Sequence, residues 1–525
     1  MEGSKLKKGQ LGDYQTPPEL VDQVLRVLHR SGFHWQRALE PTCGKGNFIA
    51  GLLSSPNPPE EIIGIELQET YWKQASAQFQ PLDRHVSILK NNIFTISLKD
   101  ELRWNHSGPL LILGNPPWVT NSEISGLDGD NLPQKKNIKG RRGIEAITGS
   151  SNFDLAESII IRLMQEYRHE KPIFAFLCKT AVARNVLHYA YETGIGISKA
   201  EIRMIDAMKW FSAAVDACLF VFVPDQQSSE RFASVYSDLD SRDPEHKIGY
   251  VHGKLVSNLE RYCDVAFLEG QSPAEWRQGI KHDAASVMEL IQTPEGWKNG
   301  LNEIVDVEDD YIYPLLKSSD IRQYLTNTSI KRAVLVPQKE AYEDTICLRD
   351  DAPLLWEYLQ GHIERFDSRK SSIYKNKSSF AIFGLGKYSF APYKIMVSGL
   401  YKTPTFIAVG PYYDKPVFCD DTCYLLACRS ALQAAVIAVL LNHPLAKQFL
   451  ESIAFFDSKR PITKTILKRL AYDRMLNCIP DDELHRQVSM TLHKLSGCDE
   501  YVPSMLENFS FSSASEHQDH QLLFK

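Results

Sequence analysis

The chain has 525 residues with an apolar share of 43% and a charged share of 24%, a soluble-protein composition long enough for two or three domains, each with its own core. Its net charge of −6 excludes a uniformly basic nucleic-acid binder and leaves local basic patches open. The cysteines include no C-x-x-C pair, and the longest notable apolar stretch, Ala434 to Leu441, is too short for a bilayer, so neither a zinc or disulfide framework nor a membrane span is expected.

The start, "MEGSKLKKGQLGDYQTP", has no apolar h-region, so no signal peptide is read and a cytoplasmic protein is expected. In "DYQTPPELVDQVLRVLHR", Thr16 reads as an N-cap and Glu19 as the partner of a capping box. Leu20, Val21, Val24, Leu25 and Leu28 then form the apolar stripe of a helix. "RALEPTCGKGNFIAGLL" reads as strand, Gly-bearing loop and helix, and "EIIGIELQ" as a buried strand ending on an acid. "HVSILKNNIF" and "GPLLILGNPPW" repeat the strand-then-polar pattern. "FDLAESIIIRLMQEY" is helical, and "KPIFAFLCKT", "EIRMIDAMKWF" and "DACLFVFV" supply further strands.

This alternation predicts an α/β domain, a mostly parallel sheet between helix layers, over residues 1–255. An irregular α+β domain with a helical C-terminal part is expected over 256–525. Between the NPPW strand and the following helix, "NLPQKKNIKGRRGIEAITGSSN" reads as a loop carrying Lys135, Lys136, Lys139, Arg141 and Arg142. The second half holds an aromatic, basic stretch from Arg365 to Lys402, strand-like segments to Leu426, an Ala/Val-rich helix near 430–455 and a basic segment from Lys459 to Arg469. Cys419, Cys423 and Cys428 read as buried thiols of a strand-like segment.

The run Leu110 to Leu113 fits a strand covered on both faces, and Gly114 and the prolines stop it. In an open α/β sheet the ligand crevice lies outside the carboxyl ends of the strands, so Asn115-Pro116-Pro117-Trp118 falls where chemistry is done. The prolines remove N–H donors and leave carbonyl acceptors beside an Asn carbonyl and an aromatic face, a site suited to a planar amino-bearing ring. A proline-terminated strand explains an isolated NPP equally well. Glu40 and Glu66 end adjacent strands, and Gly44 and Gly46 permit close backbone approach at a helix N-terminus. The loop has neither G-x-G-x-x-G nor Walker spacing, which favours an adenosine ligand without phosphates over NAD or ATP.

With these motifs in this order, the chain resembles the gamma-class DNA amino-methyltransferases, adenine-N6 enzymes of Taq-type two-domain layout that use S-adenosyl-L-methionine. The resemblance spans roughly residues 13 to 223. It implies that Thr16 and Pro17 of "YQTPPELV" lie near the methionine end of the cofactor. Glu40 and the backbone from Cys43 through Gly44 to Gly46 are implied as methionine-side contacts, and Glu66 as holder of the ribose hydroxyls. In "NNIF", Asn92 stands where the family usually has Asp, so an Asn carbonyl would accept from the adenine amine of the cofactor, with Ile93 beside it and Asn115 completing the set. "NPPW" matches the catalytic motif, with Trp118 in the place usually held by Tyr or Phe. Phe211 of "WFSAAVDACLFVFV" inherits the aromatic that packs against an extruded base. Core or dipole roles are the competing readings for Phe211 and Glu40.

The implied reaction is methyl transfer to adenine N6. The Asn115 and Pro116 carbonyls would accept from the amine and localise its lone pair, while Trp118 and Phe211 hold the flipped base. Double-stranded DNA is the implied partner, in a restriction-modification or related defence system, and a separate restriction endonuclease is compatible with it. From Arg365 to Lys402 there are eight Lys or Arg and one acid. Arg369, Lys370, Lys375 and Lys377, with Lys459 and Arg460, are accordingly read as phosphate contacts, with a solvated charged face as the alternative. Lys135, Lys136, Lys139, Arg141 and Arg142 are read as DNA-binding residues of a loop that closes over DNA beside the flipped base, with a plain surface loop as the alternative. Pro224-Asp225 and Glu245-x-Lys247 match a nuclease pattern superficially, without a separate domain's worth of sequence around them. An RNA methyltransferase, a protein-amide methyltransferase and a non-catalytic DNA-specificity protein are the other readings; no metal site is proposed.

Overall fold

The computed structural model describes residues 14–79, 85–119, 154–340, 343–496 and 511. The chain divides into two compact units, Met1–Glu260 and Arg261–Lys525.

The first unit is built on a ten-stranded sheet. Its elements in chain order are α1 (Pro18–Arg30), β1 (Arg37–Glu40), α2 (Asn47–Ser54), β2 (Glu61–Glu66), α3 (Glu69–Phe79), β3 (His85–Lys90), β4 (Leu110–Gly114), α4 (Leu155–Tyr167), β5 (Ile173–Lys179) and α5 (Thr180–Glu192). There follow β6 (Ile197–Ile205), α6 (Ala207–Phe211), β7 (Ala217–Pro224), β8 (Phe232–Tyr236), β9 (His246–Val251) and β10 (Lys254–Val256). The strand order is β10-β9-β8-β6-β7-β5-β4-β1-β2-β3. The five strands β3, β2, β1, β4 and β5 run parallel, and β7 returns antiparallel between β5 and β6. This is a Rossmann-like α/β fold.

The near-continuous apolar runs of β2, β4 and β5 are explained by burial on both faces. On one face Ala38, Ile62, Leu111, Leu113, Ala175 and Leu177 share a core with the stripes of α1 and α2. Alternate residues of β5 and β7 point the other way, where Phe174 and Phe222 stack at 4.6 Å.

Chain order reverses between β1 and β4: β1 leads outward to β2 and β3, and β4 leads the opposite way to β5. Such a switch point opens a crevice at the carboxyl ends of the strands. Glu40 closes β1 and Asn115 follows β4, so the topology puts both at that crevice.

Helix α1 starts later than its sequence suggests. Pro17, extended at φ −61° and ψ 145°, is the N-cap, and no side chain caps the helix. A cap at Thr16 would have to accept from Pro18, which has no N–H, or from Glu19; the proline pair moves the helix start past it. Thr16 is instead buried, and its carbonyl accepts from Asn47 Nδ2 at 2.7 Å.

The second unit contains two sheets. One has the order β14 (Ile304–Val305), β13 (Gly296–Asn299), β12 (Glu289–Thr293), β16 (Arg332–Leu335), β15 (Ile312–Leu316) and β19 (Phe418–Cys419). The other has β11 (Arg277–Gln278), β20 (Cys423–Cys428), β17 (Tyr393–Ser398) and β18 (Phe406–Val409). With its segregated helices it is α+β. The Ala/Val-rich segment forms two helices, α7 (Ala431–Asn442) and α8 (Pro444–Ile453), because Pro444 begins a new helix. Helix α7 is apolar all round and buried all round. The cysteines Cys419, Cys423 and Cys428 are buried in β19 and β20.

Candidate active site

The site is assembled by three segments of the first unit. The loop from β1 to α2 turns through Gly44 at φ 52° and Gly46 at φ 81°, conformations that favour glycine. A Cβ at Gly46 would also stand 2.4 Å from the Phe79 ring, so no larger residue fits. Cys43 N donates to Ile65 O at 2.9 Å and Gly44 N to Glu66 Oε2 at 2.8 Å, which ties the loop to the end of β2. Glu66 also accepts from Gln68 N at 2.6 Å. The Cys43 thiol is buried, and its pKa is raised by burial and then by Glu40 and Glu66.

Glu40 is 3% exposed, and its Oε2 is buried without a hydrogen-bond partner among the described residues. Burial first, and the charge of Glu66 second, push its carboxyl well above the usual glutamate range. Its side chain lies against Gly114: a Cβ there would be 3.5 Å from Glu40 Cγ.

Asn115 is half-buried. Its Nδ2 donates to Tyr14 O at 2.9 Å, and its Oδ1 is buried without a partner among the described residues. Pro116 is buried and Pro117 half-buried beside it. Trp118 is buried, donates from Nε1 to Leu177 O at 3.3 Å and meets Phe211 edge-on with ring centroids 5.1 Å apart. Tyr14 completes the aromatic group at 5.5 Å from Trp118 and 5.9 Å from Phe211. Phe211 ends α6, a short helix whose N-cap Asp206 accepts from Lys209 N. Val119 O accepts from Leu155 N, and Asp154 caps α4 and binds Lys179 Nζ at 2.8 Å. The helix after NPPW is thereby fastened to the ends of β4 and β5.

Asn92 stands just past β3. Its Oδ1 accepts from Phe94 N at 2.9 Å, a local turn that leaves the second lone pair of that oxygen. Ile93 is buried, and its carbonyl accepts from Arg162.

Among residues not singled out by sequence, Tyr14, Gln15, Asp154 and Lys179 all touch this region. Tyr14 and Gln15 immediately precede the Thr-Pro-Pro motif, a position without a spacing signal of its own.

The basic residues divide differently. Lys135, Lys136, Lys139, Arg141 and Arg142 lie outside the described residues. Arg369 is redirected from phosphate to structure: its guanidinium donates to the carbonyls of Phe366, His282, Ala381 and Ser379 and lies 3.8 Å from the Tyr374 ring centroid. A guanidinium committed to four carbonyls has little left for a phosphate. Lys370, Lys375, Lys377 and Lys459 are exposed. Arg460 binds the Asp421 carbonyl and carboxylate. The aromatics between the lysines largely serve the core. Phe380 is fully buried against Phe366 and Trp356, and Phe390 packs on Phe418.

Asp225 pairs with Lys171 at 2.9 Å and accepts from Gln227 N, a structural role for half of the nuclease-like pattern. Among the described residues no group of three or more His, Cys, Asp or Glu is placed to hold a metal ion, and no helix is long and apolar enough to cross a membrane.

The strand order, the glycine cradle and the polar groups at the switch point define a Rossmann-like methyltransferase fold with an additional domain. Across 93% of this chain and 74% of its own, the structure of the Type IIL restriction-modification enzyme MmeI in complex with DNA superposes with a TM-score of 0.54 at 13% identity, a likeness of fold. No family model matches the chain. Over 465 residues, 88% of this chain and 96% of the relative, it is 39% identical to the Type II methyltransferase M.NspV of Nostoc sp. (strain ATCC 29411 / PCC 7524). The chain belongs to the Type II methyltransferase family.

Proposed function

We propose that the chain is a gamma-class, site-specific DNA methyltransferase of a restriction-modification system, which uses S-adenosyl-L-methionine to methylate N6 of a flipped-out adenine. The observation that carries this reading is the state of Asn115. Its amide nitrogen is tethered to Tyr14 O while its buried oxygen has no partner among the described residues, and a buried unsatisfied acceptor calls for an explanation. An exocyclic amine supplies the missing donor.

The residues at the switch point fit the cofactor. Glu40 carries a second buried acceptor without a partner among the described residues, suited to a cation, and the Gly44–Gly46 turn allows close backbone approach. Glu40 and the Cys43–Gly46 backbone would hold the methionine end near Thr16 and Pro17. Glu66, fixed at the end of β2 by the Gly44 and Gln68 N–H groups, would hold the ribose hydroxyls; Asn92 and Ile93 would border the adenine. When bound, S-adenosyl-L-methionine supplies an activated methyl group on a sulfonium.

The remaining catalysis belongs to this chain and to the substrate. The Asn115 Oδ1 and the Pro116 carbonyl accept from the two N6 hydrogens, draw the nitrogen toward sp³ and localise its lone pair. The amine loses its proton after transfer, so no strong general base is required. An adenine stacked inside a duplex cannot reach Asn115 and must leave the helix, with Trp118 and Phe211 replacing its lost stacking. The second unit, through Lys370, Lys375, Lys377, Lys459 and Arg460, binds the target DNA. The MmeI likeness and the M.NspV relative support a DNA substrate in a restriction-modification setting.

The test is transfer of radiolabelled methyl to duplex DNA, RNA and protein, followed by mass spectrometry of the nucleosides. N6-methyladenine in duplex DNA is expected. Label in RNA or protein alone, or no label in any polymer, overturns the reading.

A further inference from the structure

We propose that Tyr14, Gln15 and Thr16 form a positioning strap that orients the Asn115 side chain and makes position 115 require a group that donates and accepts at once. The inference rests on the reading of Asn115 as the acceptor for the target amine, and goes beyond it by naming what aims that acceptor.

Three consecutive residues make three separate attachments. Tyr14 O accepts from Asn115 Nδ2 at 2.9 Å. Gln15 Oε1 accepts from Lys45 N at 3.3 Å, and the Gln15 amide covers Gly44 so closely that a Cβ there would be 2.8 Å away. Thr16 O accepts from Asn47 Nδ2 at 2.7 Å. Pro17 and Pro18 fix the chain immediately afterwards at the start of α1, and the Tyr14 ring is held by Trp118 and Phe211. The strap therefore spans the Gly44–Asn47 loop and the NPPW segment with no residue left over.

Its chemical consequence lies at Asn115. The carbonyl of Tyr14 can only accept, so it selects the amide nitrogen and turns the oxygen toward the crevice. A carboxylate in this place would set one acceptor oxygen against the Tyr14 oxygen and be driven out of position, although a carboxylate is the stronger acceptor for an amine hydrogen. A protonated carboxyl would restore the arrangement: its hydroxyl donates to Tyr14 O while its carbonyl replaces Oδ1. Tyr14 is thus a positioning residue acting through Asn115.

The experiment uses full-length protein and compares Asn115→Asp with wild type on whichever amine-bearing polymer the wild type methylates, so that a wrong substrate assignment does not pass for failure of the strap. Initial rates at saturating cofactor are measured from about pH 5.5 to about pH 8.5, a range that spans raised carboxyl pKa values. Glu40 beside Gly114, and the Asp154–Lys179 pair fastened to Val119, are the neighbouring charged groups; expressing each rate relative to wild type at the same pH cancels their titration. At about pH 8 the variant should lose about a hundredfold or more in kcat, the scale of losing one oriented hydrogen-bonding group at the reacting atom, with cofactor affinity unchanged.

As pH falls, the relative rate of the variant should recover at least about tenfold, one proton restoring one hydrogen bond to the carbonyl. Tyr14→Gly, which removes the ring packing that holds the backbone carbonyl in place, should lower kcat without raising KM for the cofactor. A carboxylate variant as active as wild type at pH about 8 overturns the proposal. So does a folded, cofactor-binding variant whose lost activity does not return in acid.

Discussion

Asn115 Nδ2 and the Tyr14 carbonyl lie 2.9 Å apart across 101 positions of sequence, and this one bond engages the nitrogen end of the Asn115 amide. Replacing Asn115 by Ala should remove the acceptor for the target amine without touching the Glu40 and Glu66 side. The expected outcome is a fall in kcat of roughly two to three orders of magnitude, with S-adenosyl-L-methionine affinity unchanged by calorimetry. Near-normal turnover would remove Asn115 from the chemistry.

Glu66 holds two backbone N–H groups, from Gly44 and Gln68. Its replacement by Ala should cost cofactor binding about 1–3 kcal/mol, the scale for hydrogen bonds to a charged group. Titration calorimetry measures the loss directly; an unchanged Kd would place the ribose elsewhere.

Glu40 gives a pH-dependent prediction. Burial and Glu66 raise its folded carboxyl pKa, so the protonated form is favoured in the cofactor-free fold. That contribution to stability is present at low pH and is lost as pH rises through the raised value. Glu40→Gln, which mimics the protonated acid, should therefore melt higher than wild type at pH about 8 and converge with it toward the ordinary glutamate pKa of about 4.3. The same variant should bind the cationic cofactor more weakly. Wild-type binding should release a proton, read as a calorimetric enthalpy that varies with the buffer.

The basic face separates two kinds of residue. Lys370→Ala with Lys375→Ala should reduce the magnitude of the log-log salt slope of DNA binding by about 1.8, from about 0.9 per lost phosphate contact. Arg369→Ala should leave the slope unchanged and destabilise the second unit by about 1–3 kcal/mol through carbonyls stripped of their donor. Binding titrations at several salt concentrations, with melting curves beside them, distinguish the two.

Lys394 is 1% exposed, with its ammonium on Ala391 O, and burial lowers its pKa to about 7. An unfolded lysine titrates near 10.4. Between the two values the unfolded chain binds the extra proton, so this group makes the fold more stable as pH rises from about 7 to about 10. Lys394→Met should raise the melting temperature at pH about 7 by a few degrees and flatten that pH dependence. An unaltered profile would show that the buried amine carries no titrating charge.

The sequence by itself determined those features whose cause is local. Apolar runs bounded by Gly and Pro marked β1, β2 and β4, and Gly44 and Gly46 marked the turn into α2. The position of NPPW at a strand end followed from its prolines. A strand-loop-helix alternation also carries the class of the first unit, because periodicity and turn chemistry act over a few residues. Even locally, the proline pair defeated the Thr16 cap, since Pro17 and Pro18 compete for the same helix start.

Only tertiary structure decided what each side chain is for, because hydrogen-bond partners are assigned by topology rather than by neighbours in sequence. Arg369 reads as a surface cation until His282, 87 positions away, and three nearer carbonyls take up its guanidinium. Phe380 reads as an aromatic between lysines until the second core closes over it. Glu40 reads as a charged strand end until burial and Glu66 raise its pKa. Tyr14 carries no signal until β4 places Asn115 beside its carbonyl; the amide's orientation depends on that approach, which no periodicity in either segment encodes.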